Sequence, residues 1–125
     1  LTEYVRIRKE GPIHESGIAA NIIEIAEKAA KKNGLSTVRR VDVQIGAFSG
    51  VEPELLTFAF SVLKKKTTLA EAELEIIKLP LLLYCRDCET DYVGESEDLR
   101  CPICLGENYD IKQGRELKVI AISGG

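Results

Sequence analysis

Apolar residues recur along this chain with two different periods, and the changes of period mark its elements. From residue 18, Ile18, Ile22, Ile25, Ala26 and Ala29 fall at three- and four-residue spacings, which places them on one face of a helix. Lys28, Lys31 and Lys32 follow near the C-terminal end, where cations suit the helix dipole. Asn33-Gly34 then supplies the left-handed residue on which helices commonly end. The period drops to two at Val41, Val43 and Ile45, which alternate with Asp42 and Gln44 as in a strand with one buried face. After a loop over Gly46 to Gly50, Pro53 and Glu54 suit a first helical turn. The apolar set behind them (Leu55, Leu56, Phe58, Ala59, Phe60, Val62 and Leu63) is wide enough to predict a helix that packs on more than one side. Lys64-Lys65-Lys66 closes it as a solvated cap.

Leu74 to Leu79 and Leu117 to Ile122 are two further strand candidates. The resulting order predicts an α+β fold, with two helices packed on a three-stranded sheet and a cysteine-rich module inserted before the last strand. Residues 13–80 plus 113–125 form the α/β domain in this reading, and 81–112 form the insertion. Residues 1–12 stand apart as a leader or extension, with a break at Gly11-Pro12. Their alternating stretch, Tyr4 to Arg8, reads either as an extra strand or as a disordered leader. Such a strand is also free to add to the sheet edge of a neighbouring molecule.

The 125 residues match one ordinary domain, or one domain carrying a small insertion, and 45% hydrophobic and 30% charged residues are normal for a globular chain. A net charge of −3 and a pI near 5.3 provide no basic field for nucleic acid. Only Tyr84, Tyr92 and Tyr109 offer stacking rings near the cysteines. No apolar run is long enough to cross a bilayer, and no secretory signal opens the chain. A cytoplasmic protein with no membrane or nucleic-acid partner is expected.

All four cysteines fall in two matched turns, Cys85-Arg86-Asp87-Cys88 and Cys101-Pro102-Ile103-Cys104, with twelve residues between them. Each Cys-x-x-Cys turns two sulfurs toward one point, so the two together offer four thiolates in a tetrahedron. That is the donor set of a structural zinc site closed to water. Asp91-Tyr92-Val93 in the loop is a short strand candidate that Tyr109-Asp110-Ile111 is placed to pair with. So small a unit cannot fold on burial alone, and the metal would supply the folding energy. The rival use of Cys-x-x-Cys, a thioredoxin-like dithiol, needs a pair at a helix N-terminus after a strand. Here both pairs lie in polar, turn-rich sequence.

His14 is the chain's sole histidine. A lone histidine at a helix start is ordinarily a cap or a surface residue. Ile13-His14-Glu15-Ser16, however, stands where the backbone nitrogens are not yet committed to helix bonds. Divalent nickel favours square-planar nitrogen and oxygen donors, so one imidazole with deprotonated amides forms a suitable set, with Glu15 either adding a carboxylate or tuning the imidazole from behind it.

Taken together, His14-Glu15-Ser16, Gly46 to Val51, Leu56 to Phe60, Ala72 to Ile76, the two knuckles and Gly114 to Val119 resemble the HypA/HybF family of nickel-insertion proteins. The resemblance runs from His14 to Ile122. It implies a nickel metallochaperone without catalytic activity, carrying Ni2+ to the [NiFe]-hydrogenase large subunit and built around a structural Zn2+. It implies His14 as principal nickel ligand with Glu15 beside it, zinc on Cys85, Cys88, Cys101 and Cys104, and a HypB-type GTPase as partner, with urease maturation factors as further partners. The family motif is Met-His-Glu at the chain start, where the terminal amine also binds nickel. Here Ile13 takes the place of that Met behind twelve residues. Residues 1–12 are therefore expected to be a foreign leader, or to precede a non-standard start at Ile13, and to weaken nickel binding while attached. The alternatives are a zinc-ribbon adaptor for protein or nucleic acid with no nickel role, and a dithiol oxidoreductase.

Overall fold

The computed structural model describes residues 2–6, 15–95 and 97–125. In chain order they form β1 (Thr2–Arg6), α1 (Glu15–Lys32), β2 (Val38–Gly46), α2 (Pro53–Leu63), a 3-10 turn (Lys64–Lys66), β3 (Glu73–Leu79), β4 (Leu82–Cys85), β5 (Thr90–Val93), β6 (Tyr109–Gln113) and β7 (Leu117–Gly124). Two sheets result. One has the order β1-β7-β2-β3, the other β5-β4-β6.

In the larger sheet, β2 pairs antiparallel with β7 and parallel with β3. The parallel pair is joined through α2, as a parallel connection requires a crossover. The three expected strands are all present. A fourth, β1, comes from the N-terminal segment and pairs antiparallel with β7 through Thr2↔Ala121, Val5↔Val119 and Arg6↔Lys118. The alternating stretch thus serves this chain's own sheet, over Thr2–Arg6, while Ile7 and Arg8 lie outside the described residues.

The core of this layer lies between the sheet and α1. Ile18, Ala19, Ile22, Ile23, Ala26, Ala29 and Ala30 are buried on α1. They meet Val38, Val41, Val43 and Ile45 of β2 and Leu117, Val119 and Ile122 of β7. Ile25, expected on that face, is only partly buried. The chain leaves α1 as expected: Leu35 N–H reaches the Ala30 carbonyl at 2.8 Å, and Gly34 takes φ +73°. α2 differs from expectation. Leu56 and Phe60 alone are buried, and Leu55, Phe58, Val62 and Leu63 are exposed. Among the described residues this helix packs on one side, not two. Lys64 is not a solvated cap either, because its Nζ donates to the Ala72 carbonyl at 2.7 Å and sits 5.8 Å from the Phe60 ring centre.

In the smaller sheet the expected partnership of β5 with β6 does not form. Both pair antiparallel with β4, which runs between them. Along β4 burial alternates, with Leu83 and Cys85 buried and Leu82 and Tyr84 half-buried, but apolar residues stand on both faces and Leu81-Leu82-Leu83 gives no period-two signal. Its core is small: Leu81, Leu83, Cys85, Tyr92 and Cys101 are buried.

The two sheets meet where Gly46-Ala47-Phe48 faces Gly114-Arg115-Glu116. Gly46 N–H donates to the Glu116 carbonyl at 2.8 Å, and Phe48 N–H donates to the Gly114 carbonyl at 2.7 Å. Phe48 packs against the smaller core, with the Arg115 guanidinium 5.9 Å from its ring centre. A Cβ on Gly46 would lie 2.1 Å from the Gly114 oxygen, so only glycine permits this approach.

Candidate metal centre

The first knuckle begins at the last residue of β4. Cys85 ends the strand, Arg86-Asp87 make the turn, and Cys88 N–H points back at the Cys85 sulfur from 3.3 Å. Arg86 holds the turn onto β6. Its N–H donates to the Asn108 carbonyl at 2.9 Å, and its guanidinium grips the Asp110 carboxylate, with Nε to Oδ2 at 3.0 Å. That pairing holds the Asp110 carboxyl below the ordinary carboxylate range.

The second knuckle is entered through a similar clamp. Arg100 donates to the Asp98 carboxylate from Nε at 2.9 Å and from Nη2 at 3.1 Å, which holds the Asp98 carboxyl low. The Tyr92 hydroxyl donates to the Leu99 carbonyl just before the turn. Leu105 N–H then closes on the Cys101 carbonyl at 2.8 Å, and Gly106 N–H reaches the Cys104 sulfur at 3.4 Å.

Both knuckles share one backbone device. The residue after the second cysteine lies in the left-handed region: Glu89 at φ +53° and Leu105 at φ +57°. In the second knuckle that conformation brings the Gly106 N–H to the Cys104 sulfur. It costs an L-residue about 1–2 kcal/mol, which marks the turn geometry as imposed by its surroundings.

The four sulfurs converge. All lie within 4.8 Å of one another, with Cys85 to Cys104 at 3.7 Å and Cys88 to Cys101 at 3.9 Å. Metal–sulfur bonds of about 2.3 Å in a tetrahedron put neighbouring sulfurs about 3.8 Å apart, so the cluster already has the edge length of a four-thiolate site. Cys85 and Cys101 are buried, Cys88 is half-buried and Cys104 is exposed. The thiols are not equivalent. The N–H groups of Cys104 and Ile103 favour the Cys101 thiolate and bring its pKa down to about 7. Cys88, sharing a proton with Cys104 and partly desolvated, is pushed up to about 12. A divalent cation resolves this crowding by taking the place of the protons.

The structure brings together all four sequence-identified cysteines; among the described residues they are the single grouping of three or more potential ligands. His14 lies outside the described residues. Glu15 opens α1, half-buried, and its Oε2 accepts a hydrogen bond from the Glu52 N–H at 3.3 Å. Glu52 is the N-cap of α2 and has no side-chain cap of its own. The Glu15 carboxylate thereby ties the starts of the two helices together, a link that the sequence alone does not reveal. Its one sequence trace is Pro53, which fixes the first helical turn and makes Glu52 the cap.

Residues 13–124 match the model of the family described as hydrogenase/urease nickel incorporation, metallochaperone, HypA. The chain belongs to the HypA family. It is 38% identical over 111 residues to the hydrogenase maturation factor HypA of Desulfatibacillum aliphaticivorans, covering 88% of this chain and 85% of that one. It is likewise 38% identical over 111 residues to HypA of Chloroflexus aurantiacus, covering 88% and 97%. The solution structure of the Ni metallochaperone HypA from Helicobacter pylori is similar to it at 28% identity with a TM-score of 0.63, covering 89% of this chain and 97% of that one. HypA proteins are thus metallochaperones and maturation factors for nickel enzymes, not a family of catalysts. No helix among the described residues is long and apolar enough to cross a membrane.

Proposed function

We propose that this chain is a nickel carrier of the cytoplasm that loads Ni2+ at His14 and hands it to the [NiFe]-hydrogenase large subunit, in concert with a HypB-type GTPase. The observation that carries the reading is the family match, which opens at Ile13, directly before His14, and runs through both knuckles. His14 is the principal nickel ligand, with neighbouring backbone nitrogens and Glu15. A start-of-helix site with few side-chain donors suits a carrier, because its cargo must leave again. Zn2+ on Cys85, Cys88, Cys101 and Cys104 is structural. The sulfur spacing supports zinc, since it matches tetrahedral thiolate bonding and leaves no open coordination position for chemistry. In this reading 13–80 plus 113–125 act as the nickel domain and 81–112 as the zinc domain. Urease maturation is the second destination the family name allows.

The test is metal content with a nickel titration on the chain from Leu1, on a form starting Met-His14, and on His14→Ala. The expected result is one zinc per chain in all three, tight nickel in the trimmed form, and loss of nickel binding in the histidine variant. Zinc without nickel in either histidine-bearing form would replace the carrier with a zinc-ribbon adaptor.

A further inference from the structure

The cysteine module has an apolar tip that its own fold does not use. Val93, Ile103 and Leu105, at the end of β5 and around the second knuckle, are 69%, 72% and 63% exposed. Val93, Pro102 and Leu105 line one hollow of about 250 Å³. A cavity of about 150 Å³ holds a benzene ring, so this one admits a large apolar side chain. Leu105 stands at φ +57°, in the region that disfavours L-residues, and its side chain gains little from burial in this chain. Its apolar surface is open to a second molecule.

Charge selects that molecule. Residues 81–112 hold eight carboxylates and three cations, whereas the rest of the chain holds fourteen cations and twelve carboxylates. The module's three cations are already paired, Arg86 with Asp110, Arg100 with Asp98 and Lys112 with Asp91. Glu95 on the rim of the hollow, and Glu97 and Glu107 in a second one, form no ion pair among the described residues. The Asp98–Arg100 pair walls both hollows, so the two adjoin. Tyr109 lines the second beside its two glutamates, a setting that holds an ammonium or guanidinium group. Nucleic acid and anionic lipid are repelled by such a field, and a second copy of the same tip would set acid on acid. We propose that this tip docks an extended basic segment of another protein. One apolar side chain of the segment sits between Val93, Pro102 and Leu105, and a lysine or arginine beside it enters the adjoining acidic hollow.

One anchor and one charged pocket supply less than the roughly 1,000 Å² of a stable interface, so the complex is transient, with a dissociation constant of about 100 µM or above. Its charges are exposed, so it weakens as salt is added. This docking is independent of the nickel reading.

The test is a nuclear magnetic resonance titration of the full zinc-loaded chain with the acetylated, amidated peptide Arg-Lys-Leu-Lys-Arg, up to about 2 mM. Shifts are expected at the amides of Val93, Glu95, Leu105 and Glu107, while Ala19 and Ala26 of α1 stay unmoved. The same peptide with serine in place of leucine should bind at least about tenfold more weakly. Leu105→Asn, which tolerates the left-handed backbone, should weaken the leucine peptide about fivefold with zinc content unchanged. Val93→Thr, at an exposed strand position, should act in the same direction. Glu97→Gln/Glu107→Gln should weaken it about threefold and flatten its salt dependence. No shift at the tip, equal binding of the two peptides, or binding that survives both apolar changes or the double glutamine change would each overturn the proposal. So would the same shifts on raising the chain's own concentration without peptide, which would seat a second copy there.

Discussion

The helix-covered sheet and the cysteine module solve the folding problem in different ways. Among the described residues the buried cluster around α1 and the β2–β7 pair holds nineteen apolar residues, whereas the cluster around β4 holds five, two of them cysteines. At about 1.5–3 kcal/mol per fully buried large side chain, the first cluster supplies several times the burial energy of the second. The module replaces missing burial with cross-links: a four-sulfur cluster, the Arg86–Asp110 and Arg100–Asp98 clamps, and the Tyr92–Leu99 hydrogen bond. The clamps are exposed and contribute little by themselves. Metal bound at the sulfurs outweighs them all.

Metal removal is therefore the largest perturbation available. Structural zinc sites in small units bind with roughly 10–16 kcal/mol, and that energy is folding energy. Chelation, or Cys101→Ser, should abolish hydrogen-exchange protection at Leu83 and Ile111. Val41, Val43 and Val119 should keep theirs, and the helical circular-dichroism signal should persist. If the module stayed protected without metal, it would be a burial-driven fold after all.

The converse change strikes the larger core. Phe60 is 2% exposed in the α2 contact with α1, and Phe60→Ala should destabilise the helical layer by about 3–5 kcal/mol. A denaturant titration would read this as a lower midpoint, while zinc content stays at one per chain. Concerted loss of zinc would show that the two regions unfold as one unit.

The junction tests how far the regions communicate. Gly46→Ala would place a methyl carbon against the Gly114 carbonyl, and the main chain on both sides must shift. A loss of about 1–3 kcal/mol is expected. It should be accompanied by altered amide resonances at Phe48 and Gly114, the pair joined across the contact at 2.7 Å. Unchanged resonances in the module would mean that the junction transmits nothing.

Legibility in the sequence followed the same division. α1, β2 and β7 carry clear periods because each buries one face, β3 sets half-buried Leu74 and Ile76 against exposed Glu73 and Glu75, and the cysteine quartet was readable because knuckle spacing is set by metal geometry. β4 was not, since its half-buried positions Leu82 and Tyr84 are apolar or aromatic too and hide the alternation. The partial burial of α2 was not legible either, because composition reveals that a helix has two apolar faces but not whether a second neighbour comes from the same chain. The Glu15–Glu52 hydrogen bond joins residues thirty-seven positions apart through a main-chain donor that no side-chain pattern encodes.

The smallest expected effect is also the one that separates metal-imposed geometry from local preference. Leu105 holds φ +57° and is 63% exposed, so its side chain gains little from burial while its backbone bears the left-handed penalty. Glycine accepts that conformation without a Cβ clash, although it also has more freedom to lose on ordering. The first effect outweighs the second at a turn held by the Leu105–Cys101 and Gly106–Cys104 contacts, which remain available to glycine. Leu105→Gly should thus tighten zinc by up to about 1 kcal/mol, roughly fivefold in a competition against a chromophoric chelator. A weaker site would mean that Leu105 contributes through its side chain, and the strain would then have to be explained by what that side chain contacts.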